Sequence, residues 1–485
     1  MGLEEQGSMS NRTGFSGILS FTLAALFAGR AGAEPAEGGV AAAGASPEEV
    51  GGVLVPEPRR RMPSVPGVLL AVPRLTIAAV SVPVREGLII YERHNIRERL
   101  VDLFFDDTRT FGIYPKVTLE TGLQPGFGAR LVHRNFLGTG AHLRLSGDYG
   151  GELRRRVDLG VSRIRLGSAP LWAHVRGGWQ RQPDASFYGI GDAPLAAPAD
   201  DTATGVPARG PAAYQVRFDQ TIRRAEAGFL LDPAGPFHLG WSATYVARDF
   251  GASDGAAGSD LDRKQIDVRF DPGSLPAWDR GVELVYNEVQ IGLDTLRVTS
   301  PYVPTGVPSE GTKLVAFAGW AAGVRGDPTR YLRYGVEAMR YIDLYGGNRV
   351  LLLRGHLEGV AGDMSRIPFT DLPRLGGPLL LRGFAPNRFR DRVAMAGTVE
   401  YRYPIWRLMS GFLFVDVGRV LPGSAELAPG ALIHYRPHYG GGGGLEVLQG
   451  DNFRLRGQVA TSGEGLFFQF AFEPAYRVQT PNYRI

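Results

Sequence analysis

From about residue 110 to the C-terminus, short segments alternate between apolar and polar positions, and clusters of Gly, Pro, Asp and Asn separate them. In 141–149, Ala141, Leu143, Leu145 and Tyr149 alternate with His142, Arg144, Ser146 and Asp148. In 171–180, Leu171, Ala173, Val175 and Trp179 alternate with Trp172, His174, Arg176 and Gln180. The same texture recurs at 214–222, 237–247 and 453–459. Successive side chains of a strand point to opposite faces, so each segment has one apolar and one polar, charged face. A soluble sandwich or propeller would turn the apolar face inward, and a membrane barrel would turn it toward lipid around a wet interior. Length and aromatic placement favour the barrel. The segments reach the roughly 9–11 residues of a tilted spanning strand, against about 5–6 in soluble sheets. Tyr, Trp and Phe recur near segment ends, as interfacial girdles require.

The expected fold is therefore all-β: a transmembrane antiparallel β-barrel of about 16 strands over 110–485, preceded by a short N-terminal amphipathic helix. Short links such as 137–140 are expected on the periplasmic side. Long ones at 183–212, 250–263, 298–311 and 362–392 are expected outside, and the last strand is expected at 464–473, with Leu466, Phe468, Phe470 and Phe472 outward.

The front of the chain has a different composition. Arg12, the apolar run 15–28 and Ala31-Gly32-Ala33 read as a signal peptide over 1–33. Residues 34–66, rich in Ala, Gly, Pro and Glu, read as a flexible linker. Residues 67–109 read as a periplasmic or interfacial helical segment. Within 84–105, Ile89, Ile96, Leu100, Leu103 and Phe104 lie opposite Glu92, Arg93, Arg97, Glu98 and Asp102. Such a helix can lie at the inner-leaflet interface or dock on the barrel rim.

Composition excludes several chemistries. The 485 residues contain no Cys, so neither a disulfide framework nor a thiolate metal site is possible. The net charge of +4 is small, and no basic run is interleaved with aromatics, so nucleic acid is not an expected partner. The eight His are scattered without ligand spacing, and no metal or cofactor is expected. Gly251-Ala252-Ser253-Asp254-Gly255 fits a nucleophile-elbow pattern, but a loop follows where a helix is required, so no enzyme is expected. Asp249, Asp254, Asp260 and Asp262 read as a solvated turn or a calcium-binding loop tip. Gly440 to Gly444 reads as a place where the wall bends or something packs closely.

The chemistry concentrates near the C-terminus. Alternation along 394–404 puts Ala396, Thr398, Glu400 and Arg402 on one face, and along 412–420 it puts Phe412, Phe414, Asp416 and Gly418 on one face. With the apolar faces toward lipid, Glu400 and Asp416 point into the lumen. An inserted loop carrying Arg382 would meet two carboxylates there, and a guanidinium binds either one bidentately.

Leu381-Arg382-Gly383-Phe384, then Gly397-x-x-Glu400-Tyr401-Arg402-x-Pro404, then Phe414-x-Asp416-x-Gly418 resemble, in this order, the BamA/TamA-type outer-membrane barrels of the bacterial surface antigen family. Leu375-Gly376-Gly377, Thr121-Gly122-Leu123, 135–140, 187–191 and Asp294-Thr295-x-Arg297 extend the resemblance across 110–485. The resemblance implies an outer-membrane location and a plug loop, 362–392, folded into the lumen. It also implies a lock made of Arg382, Gly383, Phe384, Glu400, Phe414, Asp416 and Gly418. The implied partners are outer-membrane lipid and an exported or barrel-forming client, and the implied state is a monomeric barrel. The implied role is assembly or transport; a structural surface barrel without a client is the alternative. No strand-helix-helix-strand-strand pattern is read in 34–110, so no POTRA module is expected.

Overall fold

A computed structural model describes residues 102–471 apart from 119–125, 151–153, 192–214, 234, 254–264, 269, 298–307, 345–348, 407–408, 425–436 and 450–452, with residues 86, 87, 89, 90, 93, 94 and 99 in addition. The chain divides into two units, Met1–Tyr91 and Glu92–Ile485. The expected signal peptide, the linker, Thr121-Gly122-Leu123 and the three distal acids of the calcium candidate lie outside the described residues. In the first unit, residues 86, 87, 89 and 90 have helical backbone. In the second, helix at 102–104 ends where Phe105 pairs with Gly112, so the helical reading to 109 runs too far. The turn between them is closed by Asp106, whose carboxylate accepts from the Phe111 N–H at 2.9 Å, the Thr110 hydroxyl at 3.0 Å and the Thr108 hydroxyl.

Sixteen strands form one antiparallel sheet. The first half comprises β1 (Phe111–Thr118), β2 (Gly126–Phe136), β3 (Ala141–Gly150), β4 (Arg154–Arg165), β5 (Leu171–Phe187), β6 (Val216–Leu231), β7 (Phe237–Ala252) and β8 (Val282–Asp294). β9 (Gly311–Gly323), β10 (Arg330–Asp343) and β11 (Val350–Ala361) follow. β12 (Arg374–Leu375) and β13 (Phe389–Arg390) form a separate two-stranded ribbon inside the segment 362–392. The wall resumes with β14 (Val393–Trp406), β15 (Met409–Leu421), β16 (His438–Gln449), β17 (Phe453–Ser462) and β18 (Gly465–Ala471). Neighbours pair in sequence order, β11 directly with β14, and among the described residues β1 and β18 are the two edges of the sheet.

The distribution of side chains decides between soluble and membrane architectures. Leu145, Val157, Val175, Leu239, Ile291, Leu353, Val399, Val415 and Phe468 stand exposed on one face. The opposite face buries Glu226, Arg248, Glu288, Arg333, Glu337, Arg354, Glu358, Glu400, Asp416 and Arg456. Charged groups inside and an apolar band outside are the reverse of a soluble sheet, and the arrangement a lipid-facing wall requires.

One sidedness expectation fails. Antiparallel strands in sequence order send alternate connections to opposite edges. The connection from β8 to β9 shares an edge with the turn at 137–140, whereas those from β5 to β6, β7 to β8 and β11 to β14 share the other. The link at 298–311 therefore cannot lie opposite 137–140, and its length was a misleading signal.

Segment 362–392 folds back against the polar face. Asp371 is buried and takes hydrogen bonds from Arg248 of β7 and, at 2.8 Å, from the Tyr331 hydroxyl of β10. Phe369 sits among Phe187, Phe218 and Phe250, with ring centroids 5.1–5.5 Å away. Residues 187–191 dock on the same segment, for the Gly191 N–H donates to the Arg390 carbonyl at 2.7 Å. The Arg390 guanidinium lies 5.4 Å over the Phe187 ring.

Candidate functional site

The tip of the inserted segment is shaped by backbone turns. Gly376 and Gly377 have φ near +106° and +105°, and their N–H groups donate to the carbonyls of Leu380 and Phe384 at 3.2 and 3.1 Å. Leu381 is left-handed at φ +55°, a costly conformation for a residue with a Cβ. The turn it makes aims both the backbone N–H and the side chain of Arg382 at Asp416.

Three donors of Arg382, its N–H, Nε and Nη2, each reach Asp416 at 2.8 Å. Its Nη1 donates to Glu400 at 2.8 Å. Arg382 is 2% exposed, and both carboxylates are 0% exposed. The guanidinium also lies 3.5 Å over the Phe414 ring. One side chain of the inserted segment is thus tied to two strands, β14 and β15, in water-poor surroundings where charge-assisted bonds are strong.

Two more arginines complete the cluster. Arg402 Nε donates to Glu400 at 2.9 Å, and Arg456 of β17 donates to both Glu400 oxygens while lying 3.6 Å over Phe412. Glu446 of β16 is 3.7 Å from Arg456, and the Thr398 hydroxyl donates to Asp416 at 2.9 Å. Arg382, Arg402 and Arg456 therefore balance Glu400, Asp416 and Glu446. Sequence reasoning placed Arg402 on this face without a role and missed Arg456 and Glu446. Their signal was alternation: Arg456 shares its face with Gln458, and Glu446 continues the row of Gly442 and Gly444.

The glycines of β16 make room for this cluster. A Cβ at Gly440 would lie 1.8 Å from the Arg382 carbonyl oxygen; Cβ atoms at Gly442 and Gly444 would lie 2.9 Å from the Phe414 ring and 2.6 Å from the Phe412 ring. Gly383, at φ +94°, passes so close to β17 that a Cβ would meet the Thr461 carbonyl at 2.7 Å, and its own carbonyl accepts from the Ser462 hydroxyl. Phe384 packs with Leu375, Leu380, Leu381 and Phe389, and Gly418 lets the Leu375 and Leu381 side chains approach to 3.3 Å of where its Cβ would be.

Further fastenings surround the tip. Arg354 of β11 donates to the Leu379 carbonyl at 2.7 Å, and Gln458 donates to the Pro378 carbonyl at 3.0 Å. Arg388 pairs with Glu464, in the turn between β17 and β18, at 2.8 Å.

Residues 305–464 match the Omp85 superfamily domain. That third of the chain is an Omp85-type domain. The match contains the whole inserted segment and every residue of the arginine–carboxylate cluster, and it agrees with the BamA/TamA-type resemblance of the motifs. Together with the apolar outer band, it makes the chain an outer-membrane β-barrel. Among solved structures, BamA from Haemophilus ducreyi lacking POTRA domains 1-3 shares the fold. It is 15% identical with a TM-score of 0.53, over 74% of this chain and 69% of that one. CdiB from Acinetobacter baumannii is 12% identical with a TM-score of 0.42, over 75% of this chain and 65% of that one. CdiB from Escherichia coli is 13% identical with a TM-score of 0.46, over 74% of this chain and 60% of that one. This chain thus spans less than two thirds of either CdiB chain. No curated protein matches the sequence.

The remaining sequence candidates separate from this site. Ser253, of the nucleophile-elbow pattern, is buried and donates to the Pro183 carbonyl at 2.7 Å. Among the described residues no His, Asp and Glu gather into a metal-binding group. Asp294 and Thr295 stitch the foot of β9, through Lys313 at 2.7 Å and the Thr312 carbonyl at 3.0 Å.

Proposed function

We propose that this Omp85-type barrel works in the assembly or transport of outer-membrane or exported proteins as a monomer, with segment 362–392 as a plug locked in the lumen by Arg382. The carrying observation is the attachment of Arg382 to Asp416 and Glu400, at four distances of 2.8 Å. A buried guanidinium held by two strands gives the segment one defined seat, and both partners can be uncovered again only by moving the segment. The client would be a protein chain that approaches the wall.

A second reading rests on the number of other fastenings. Leu379, Pro378, Arg388 and Asp371 are each tied to a different part of the wall. Those ties suit a permanently filled surface barrel without a client. Quantitative proteomics of the outer membrane after gene deletion separates the two. Loss of other barrels or of one exported protein supports the assembly role. Loss of this chain alone supports the structural barrel.

A further inference from the structure

We propose that the inner wall formed by β2–β6 makes the lumen selective for small inorganic anions. Arg144, Gly160, Arg176, Glu226, Thr244 and Tyr286 lie directly opposite one another on consecutive strands. Directly paired residues share a face, and Thr244 and Tyr286 are buried on the interior side. Arg144 and Arg176 therefore face the lumen. The neighbouring rows bring Arg130 and Arg224 into line with buried Ser146, and Arg156 into line with buried Arg248.

In these rows five arginines stand with three carboxylates, Asp148, Asp158 and Glu226. Asp158 is engaged by Arg156, and Glu226 by His174 at 2.7 Å. Among the described residues no carboxylate pairs with Arg130 or Arg176, and the buried Nε of Arg130 has no hydrogen-bond partner. Arg176 is exposed on the lumen side.

The wall under the inserted segment differs. There Arg333 pairs with Glu358 at 2.6 Å, Arg354 with Glu337 at 2.5 Å, and the Arg382 cluster is balanced. Positive charge without a paired carboxylate therefore stands on the β2–β6 part of the wall, at Arg130 and Arg176. Fixed charge on a pore wall with low-dielectric surroundings raises the local concentration of counter-ions and sets selectivity. The guanidinium is always charged, so this field persists across the physiological pH range.

The test is the reversal potential of the purified full-length chain in a planar lipid bilayer under a KCl gradient. The expected current carries chloride in preference to potassium. The R130Q/R176Q variant should bring the permeability ratio toward one, and R130K/R176K should keep it. If R130Q/R176Q does not insert, R176Q alone serves, because its side chain is exposed to the lumen. A cation-preferring or unselective current, absence of current, or an unchanged ratio in the glutamine variant would overturn the proposal. The assembly reading is measured in cells through its clients, so either conclusion can fail while the other stands.

Discussion

The carbonyl oxygen of Arg382 occupies the space that a side chain at Gly440 would need, 1.8 Å from where its Cβ would stand. The inserted segment and the wall thus touch backbone to backbone at the point where the guanidinium leaves for Asp416. G440A is expected to force the segment outward and to weaken the ion cluster together with the packing. Overpacking at such a contact costs about 1–3 kcal/mol. The midpoint of urea unfolding, followed by heat-modifiable gel mobility, should fall; an unchanged midpoint would mean that the segment does not sit on β16.

Replacing Arg382 leaves Asp416 and Glu400 buried with less positive charge beside them. R382A should destabilise the barrel by about 3–5 kcal/mol, the range for breaking a buried ion pair. R382K should recover only part of this, because an ammonium is a point charge without the planar fork that serves both carboxylates here. Equal stability of the alanine and lysine variants would show that the fork geometry does not matter.

The Arg388–Glu464 pair is a milder fastening, since Glu464 is partly exposed at the turn. E464Q should change global stability by less than about 1 kcal/mol. It should nevertheless speed proteolysis within 376–388 in intact cells, because that tie holds the segment at the edge shared with the long connections. Unchanged cleavage would place the restraint on the Arg382 cluster alone.

Val415 is 58% exposed and lies mid-strand on the outer face. On a soluble protein V415R would change stability by no more than about 0.5 kcal/mol. On a lipid-facing wall it should cost about 2–4 kcal/mol. Refolding titrations into phospholipid vesicles give the value, and a neutral result would contradict the assignment of the two faces.

Asp106 gives a pH dependence outside the membrane-spanning strands. Hydrogen bonds from the Thr108 hydroxyl and then the Phe111 N–H hold its carboxyl down from 3.8 to about 2. A depressed pKa means that the turn's contribution is complete above the unfolded value. It declines as the pH falls and is lost on passing through about 2. NMR titration of the Asp106 carboxyl in detergent should find that midpoint, and D106N should abolish the transition. A midpoint near 4 would show that the turn does not hold the carboxylate.

Much of this protein is written in local pattern. Alternation at period two is a property of neighbouring residues, so the strands, their two faces and the inward direction of Glu400, Arg402 and Asp416 could be read without knowing what they pair with. Sixteen or seventeen candidate strands could be marked, and the even number usual in bacterial single-chain barrels selected sixteen. Gly440 to Gly444 announced a bend of the wall or a close approach, because five consecutive residues without side chains permit either.

Tertiary structure decided what the approach was for. Arg456 and Glu446 join the Arg382 cluster only because β16 and β17 pair in a register that sets Glu446 opposite Arg456. The sidedness of 298–311 came from counting paired strands, since loop length does not encode which edge a loop leaves. The seat of segment 362–392, from Asp371 on Arg248 to Arg388 on Glu464, joins residues 123 and 76 positions apart. Hydrogen-bond geometry at that separation is set by strand register and chain reversal, which no local window contains.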